Sequence, residues 1–144
     1  MAQAMINMHL GMIDPLLIPC VQTYADVTVT GQFPNKCYAF ARMATFDLVD
    51  TICYYVEGIV MVDDCLPIGH AWVKDRHNHC IDGTAIDQRF ARLGIEIPAK
   101  VFIRHMRSPA FASEYEKHDL FPFVRAYKQV VRDADLISEL HPNV

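Results

Sequence analysis

The chain lacks an excess of basic residues. Its 13 lysines and arginines are outnumbered by 17 aspartates and glutamates, for a formal net charge of −4 at pH 7 and a pI of about 5.9. A protein that binds nucleic acid through its backbone needs a basic surface to neutralise the phosphates. The composition therefore predicts no nucleic-acid partner.

Long apolar runs are also missing. The apolar stretch at residues 16–18 ends at Pro19 and is too short to cross a bilayer, which takes about 20 residues. The first five residues carry no basic side chain of the kind that begins a secretory signal. We therefore expect a cytoplasmic protein that neither spans nor binds a membrane.

Paired cysteine motifs and glycine-rich phosphate loops are absent as well. The five cysteines show no Cys-x-x-Cys spacing, and a reducing compartment leaves such cysteines as free thiols. His77, His79 and Cys80 are grouped like metal ligands, but no fourth ligand is close in sequence and an exposed hairpin tip is the better interpretation. We expect neither a metal nor a nucleotide nor another cofactor.

The bulk composition indicates one folded domain over residues 1–144. The chain is 52% hydrophobic and 21% charged, which is typical of a globular protein that can bury its own core. No internal repeat, low-complexity tract or linker divides it.

A first helix is predicted after the turn-rich segment 31–35. Asn35 is its expected N-cap, and Cys37 follows in the first turn. Helical spacing then places five residues on one face, namely Cys37, Phe40, Ala41, Ala44 and Leu48.

Strands and further helices follow. Antiparallel strands are expected at residues 54–62, 68–74 and 79–82, whereas residues 27–30 fit either a short strand or a loop. Helical segments begin at Pro98 and Pro122, and Pro109 interrupts between them. An apolar stripe marks the last segment at Phe123, Ala126, Tyr127, Val130, Val131, Ala134 and Ile137. This order predicts an α+β fold, in which a capped helix packs on a small antiparallel sheet with additional C-terminal helices.

Cys37 is the one cysteine placed at the start of a predicted helix, next to Lys36. A thiol is a weak nucleophile until it ionises, and the partial positive charge of a helix N-terminus favours the thiolate. Cys37 is therefore the candidate nucleophile, with a buried packing role as the alternative.

His70 and Asp82 lie on neighbouring predicted strands. In a hairpin centred on Arg76, His70 faces Asp82 and Trp72 faces Cys80, with the Cβ atoms of each pair about 4.5–5.5 Å apart. Two-residue alternation puts these four side chains on one face, and a slip of one residue would separate them. The pattern predicts an imidazole–carboxylate hydrogen bond.

The three residues form a candidate catalytic triad. His70 would take the proton of Cys37 or hold it as an imidazolium, and Asp82 would orient the ring. The backbone N–H of Cys37 and the side chain of Gln32 are candidate donors to an oxyanion. Trp72 is expected to shield the His70–Asp82 pair from water and, with Gln32, to belong to the oxyanion and substrate-binding part of the site.

These segments resemble the transglutaminase-like branch of the papain-like cysteine-enzyme superfamily. Its pattern is a cysteine at a helix start, a strand with Val-x-Gly, a His-Ala-Trp strand and a strand end of the Asp-Pro-Thr type. Matching segments within residues 31–95 are 36–41 (KCYAFA), 55–58 (YVEG), 70–73 (HAWV) and 81–84 (IDGT, with glycine in place of proline). The resemblance implies a papain-like core with Cys37, His70 and Asp82 as nucleophile, base and orienting acid, and likens Gln32 to the oxyanion glutamine of that family.

The expected activity is cysteine-dependent hydrolysis of a peptide, isopeptide or other amide through a thioester. Transfer of the acyl group to an amine is one alternative, and a non-catalytic binding protein on the same fold is another. The expected partner is accordingly a peptide, a protein or a small molecule that contains an amide.

Several other conspicuous residues are interpreted as structural. Asp87 is a rival orienting acid, but it lies past the strand end and is expected to begin a helix. Glu57 is expected to be solvated on its strand. Exposed or packing positions are expected for Arg104, Arg107 and Arg125 and for Cys20, Cys53 and Cys65.

Overall fold

A six-stranded sheet forms the centre of the structure. The computed structural model describes residues 21–24, 27–31, 33, 35–63, 65–131 and 136–140. The strands are β1 (Val21–Tyr24), β2 (Val27–Val29), β3 (Ile52–Val62), β4 (Leu66–Asp75), β5 (Cys80–Asp82) and β6 (Arg92–Pro98). Their order across the sheet is β1-β6-β3-β4-β5-β2.

Neighbouring strands pair antiparallel except at one edge, where β2 runs parallel to β5. The sequence predicted β3, β4 and β5 and left residues 27–30 between strand and loop. It did not predict β6, which lies between β1 and β3 and pairs with both. The small antiparallel sheet expected from the sequence is therefore a larger, mixed sheet.

Helices precede and follow the central strands along the chain. They are α1 (Cys37–Asp47), α2 (Ala99–Met106), α3 (Pro109–Glu116), α4 (Pro122–Ala126) and α5 (Leu136–Leu140), with a π-helical segment at Tyr127–Val131. Proline opens α3 and α4 and directly precedes α2, as its fixed φ favours. This combination of helices and sheet confirms the general α+β class.

The two faces of the sheet carry separate apolar clusters. On one face, Tyr55, Ala71 and Val73 pack with residues of α1, α2, α3 and α4 in the main core. On the other face, Trp72 and Cys80 belong to a smaller cluster. Two-residue alternation along the strands produces this division.

The apolar face of α1 is shorter than predicted. Phe40, Ala41 and Ala44 are buried, whereas Leu48 lies beyond the last residue of the helix and is 52% exposed. Leu48 instead belongs to the turn that leads into β3, where its carbonyl accepts hydrogen bonds from the amides of Thr51 and Ile52.

The C-terminal stripe is also only partly buried. Phe123, Ala126 and Tyr127 lie in the core, but Val130 is 38% exposed. A π-helical turn holds more residues than an α-helical one, so the spacing on which the prediction depended changes at Tyr127. Ala134 and the side chain of Ile137 lie outside the described residues.

The residues assigned to the surface largely lie there. Arg104, Arg107 and Arg125 are exposed, Cys65 is exposed and Cys53 is half-buried. Cys20 falls outside the described part of the chain.

Glu57 is fully buried, so the prediction that it is solvated was wrong. Its carboxylate accepts hydrogen bonds from the Tyr55 hydroxyl (2.5 Å) and from the backbone amides of Phe123 (2.7 Å) and Val124 (3.1 Å). These amides belong to α4, so Glu57 joins that helix to the sheet. Burial is the largest influence on the pKa of Glu57 and raises it to about 7, although the three hydrogen bonds act in the opposite direction.

We predict that Glu57 makes the stability of the protein depend on pH. The folded state retains a proton that the unfolded state loses between pH 4.5 and about 7, so the free energy of unfolding falls as pH rises through this window. Relative to Glu57→Gln, which does not titrate, the protein should lose about 3 kcal/mol between these pH values. Urea unfolding at pH 5 and pH 8 measures this difference.

Glu116→Gln is the matched control, because Glu116 is an exposed carboxylate that pairs with Arg42 on the surface. This variant should keep the pH dependence of the unchanged protein. Parallel stability curves for the unchanged protein and Glu57→Gln would contradict the prediction.

Candidate active site

Cys37 opens α1 as predicted, but the N-cap of this helix is Lys36 and not Asn35. The carbonyl of Lys36 accepts the hydrogen bond from the Phe40 amide (2.9 Å). Asn35 has a left-handed φ of 61°, which asparagine tolerates better than most residues. No side chain of the described structure caps this end of α1, so the first backbone N–H groups of the helix lie beside the Cys37 thiol.

The hairpin between β4 and β5 differs in register from the prediction. Val73 pairs with Ile81 and Lys74 with Cys80, which is two residues away from the expected pairing. Residues 76–79 connect the two strands, and Asn78 has a φ of 64° there, a conformation common in short hairpin loops. A shift of two residues leaves every side chain on the same face of the sheet. His70 and Asp82 therefore share one face, as predicted, although the predicted register was wrong.

His70 and Asp82 form the predicted hydrogen bond. The His70 Nε2 atom lies 2.7 Å from Asp82 Oδ2, and both side chains are buried. The two residues are not directly opposite each other in the sheet. Strand β5 ends at Asp82, and no described strand pairs with His70 on that side. On the other side, β3 places Gly58 opposite His70.

Cys37 lies close enough to His70 to influence its ionisation, and both residues line the same cleft. The His70 Nε2 atom also lies 3.2 Å from the Thr84 hydroxyl. Burial by itself would lower the pKa of His70, but the hydrogen bond to Asp82 and the interaction with Cys37 outweigh it and raise the pKa to about 9. The structure thus brings Cys37, His70 and Asp82 together in the predicted order, with the imidazole in the middle.

Asp82 has two further partners that the sequence analysis did not assign. Thr84 donates to Oδ1 from its backbone amide (2.9 Å) and its hydroxyl (2.7 Å). Arg92, which is fully buried, donates to Oδ2 from Nη2 (3.1 Å) and Nε (3.3 Å). Burial favours the neutral acid, but the hydrogen bonds from His70 and Thr84 and the charge of His70 hold the pKa of Asp82 below its ordinary value.

Arg92 also anchors the loop between β5 and β6. Its Nη1 atom donates to the carbonyls of Asp87, Gln88 and Phe90 (3.0–3.3 Å). Arg92 was missed because β6 was missed. Alternation of Leu93, Ile95 and Ile97 with other residues over 92–98 was the available strand signal, and it would have directed Arg92 to the face of His70 and Asp82.

Trp72 lies next to His70 in the interior of the protein and has no contact with solvent. The centroids of the two rings are 6.1 Å apart, and Trp72 is fully buried. Its ring occupies the space above Gly58 and Gly94, where an added Cβ atom would lie 2.7 and 2.8 Å from ring carbons. Trp72 therefore packs around His70 and leaves no exposed ring surface, and its assignment to substrate binding stays a prediction.

The remaining candidates lie elsewhere. Gln32 falls outside the described residues, so its oxyanion role stays a prediction. Asp87 pairs with the exposed Arg89 (2.8 Å) and begins a turn, not the predicted helix. No cluster of metal ligands occurs within the described ranges. Cys80, which follows His77 and His79 in sequence, is buried, and burial raises the pKa of its thiol to about 11.

A cleft of about 450 Å³ gives access to Cys37 and His70. Its other described lining residues are Asn35, Ile68, Gly69, Thr84, Ala85 and Ile86. A larger cavity of about 650 Å³ lies between α1 and α3 and contains no residue of the candidate triad. The smaller cleft is therefore the one that can admit a molecule to the thiol.

Comparisons with protein-family models, curated proteins and solved structures found no match for the chain. The geometry of the site therefore carries the functional interpretation. None of the helices in the described ranges combines the length and the apolar composition that crossing a bilayer requires.

We predict that Arg92 stabilises the fold through Asp82. Arg92→Met would leave the buried Asp82 carboxylate without its guanidinium partner, and breaking a buried ion pair in this way typically lowers the free energy of unfolding by about 3–5 kcal/mol. Arg92→Lys should lower the free energy of unfolding by less, because lysine retains the positive charge. Some loss should remain, because lysine cannot also donate hydrogen bonds to the loop carbonyls. Urea unfolding at pH 7 measures both losses.

Arg89→Met is the control, since Arg89 also pairs with an aspartate of this loop region but is exposed. Its removal should leave the free energy of unfolding close to that of the unchanged protein. Equal losses for Arg89→Met and Arg92→Met would show that burial of the Arg92–Asp82 pair has no special weight.

Proposed function

We propose that the chain is a cysteine-dependent hydrolase that cleaves a peptide, isopeptide or similar amide through a thioester. The position of His70 between a thiol and a buried carboxylate is the observation that supports this most strongly. A histidine that only packs in a core needs no cysteine at a helix start on one side and no ionised aspartate on the other.

The first step would acylate Cys37. The thiolate attacks the carbonyl carbon of the substrate, the carbon–nitrogen bond breaks, and the proton held by His70 passes to the departing amine. The Cys37 backbone N–H, at the uncapped start of α1, is the proposed donor to the oxyanion. Asp82 stabilises the imidazolium while the proton is stored there.

The second step would release the acyl group. His70, now neutral, takes a proton from water as the water attacks the thioester carbonyl. The carbon–sulfur bond then breaks, the product leaves as a carboxylic acid, and Cys37 returns to its starting state. No step requires a redox change or a group from outside the chain other than the substrate and water.

A papain-like or transglutaminase-like core is part of the same proposal. The helix that begins at Cys37 packs on the sheet through Phe40 and Ala44, His70 lies on the long strand β4, and Asp82 ends the adjacent strand β5. This order of elements supports the resemblance that the sequence suggests.

Water is favoured over an amine as the acyl acceptor. Apart from Cys37 and His70, the described residues that line the cleft are uncharged, so none of these other residues offers a carboxylate to the ammonium group of a second substrate. Acyl transfer would instead give product only when an amine is supplied. A non-catalytic binding protein would show a Cys37 no more reactive than an ordinary cysteine.

We predict selective alkylation of Cys37 by iodoacetamide. With the imidazole of His70 beside it as a general base, Cys37 should react about 10-fold faster than the exposed Cys65 at pH 6.5. Peptide mapping by mass spectrometry gives both rates in the same sample. His70→Ala should reduce the rate of Cys37 to that of Cys65.

His77→Ala serves as the control, because His77 is an exposed histidine on the β4–β5 hairpin. That variant should leave the alkylation of Cys37 unchanged. Equal labelling of Cys37 and Cys65 at every pH would rule out the proposed enzyme and support the binding protein.

A further inference from the structure

The cleft beside Cys37 is lined mainly by apolar side chains. Ile68 forms one wall from β4, and Ala85 and Ile86 form another from the loop after β5. Only Asn35 and Thr84 add neutral polar groups to this described lining, outside the candidate triad itself. A charged group that entered the cleft would lose hydration without gaining a charged partner among these residues.

An exposed aliphatic strip continues from this cleft along β4. Leu66, Ile68 and His70 alternate along the strand and so share one face. Leu66 is 55% exposed and Ile68 is 37% exposed, whereas His70 at the inner end is buried. Large aliphatic side chains thus lead from the surface to His70, which lines the cleft together with Cys37.

We propose that the substrate carries an aliphatic or aromatic side chain next to the carbonyl that Cys37 attacks, and that this side chain lies against Ile68 and Ile86. The proposal rests on the proposed acyl chemistry and adds the substrate class. A cleft of about 450 Å³ has room for such a side chain, and covering Ile68 would remove apolar surface from water.

The proposal is tested with N-acetyl-aminoacyl chloromethyl ketones that differ only in their side chain. The Cys37 sulfur displaces chloride from the methylene carbon, a carbon–sulfur bond forms, and chloride leaves. We expect the leucine reagent to label Cys37 about 10-fold faster than the aspartate reagent, a difference typical of an apolar pocket. The lysine reagent should be similarly slow, which excludes simple charge repulsion as the cause.

Ile68→Asn should slow the leucine reagent about 10-fold more than it slows iodoacetamide, because it removes the apolar contact without adding a charge beside Cys37. Leu48→Asn is the control, because Leu48 is an exposed aliphatic residue outside the cleft (52%, against 37% for Ile68), and it should behave like the unchanged protein. Ile86→Asn provides a second variant if Ile68→Asn unfolds at lower urea concentration.

Two failures are distinguishable. Equal rates for the leucine, aspartate and lysine reagents, with iodoacetamide still selective for Cys37, would overturn the apolar substrate and leave the acyl chemistry intact. Loss of that iodoacetamide selectivity would overturn the proposed hydrolase itself.

Discussion

The carboxylate of Asp82 is the group on which the arrangement of the site depends. One oxygen accepts hydrogen bonds from Thr84, and the other contacts His70 and Arg92. Through these contacts it connects β4, the end of β5, the start of β6 and the loop that forms one wall of the cleft. A single ionised group therefore fixes both the imidazole and the cleft beside it.

Arg92 acts together with His70 and Thr84 to keep this carboxylate ionised at full burial. A buried charge is strongly unfavourable unless it is paired and its hydrogen bonds are satisfied. Arg92 supplies the opposite charge, and its Nη1 atom donates hydrogen bonds to loop carbonyls. Asp82 can then orient His70 without taking the proton itself, which the proposed chemistry requires of the third member of a triad.

Local patterns predicted the site better than they predicted the sheet. Alternation placed His70, Trp72 and Asp82 on one face, and this survived a hairpin register that was wrong by two residues, because only odd shifts exchange the faces. The strand β6 was missed although Leu93, Ile95 and Ile97 alternate over residues 92–98. Burial of Glu57 could not be predicted, because it depends on amides of α4 that are 66 and 67 residues away in sequence.

The sheet separates two buried carboxyl groups whose pKa values are shifted in opposite directions. Glu57 faces the main core, where its partners are the Tyr55 hydroxyl and two backbone amides, and burial raises its pKa to about 7. Asp82 lies on the opposite face beside Arg92 and His70, and its pKa is held low. Both groups are buried and both accept several hydrogen bonds, so the presence of a cation is the difference that matters. Protonation of Glu57 near neutral pH therefore affects the contact between α4 and the sheet, while the Asp82 carboxylate beside His70 stays charged.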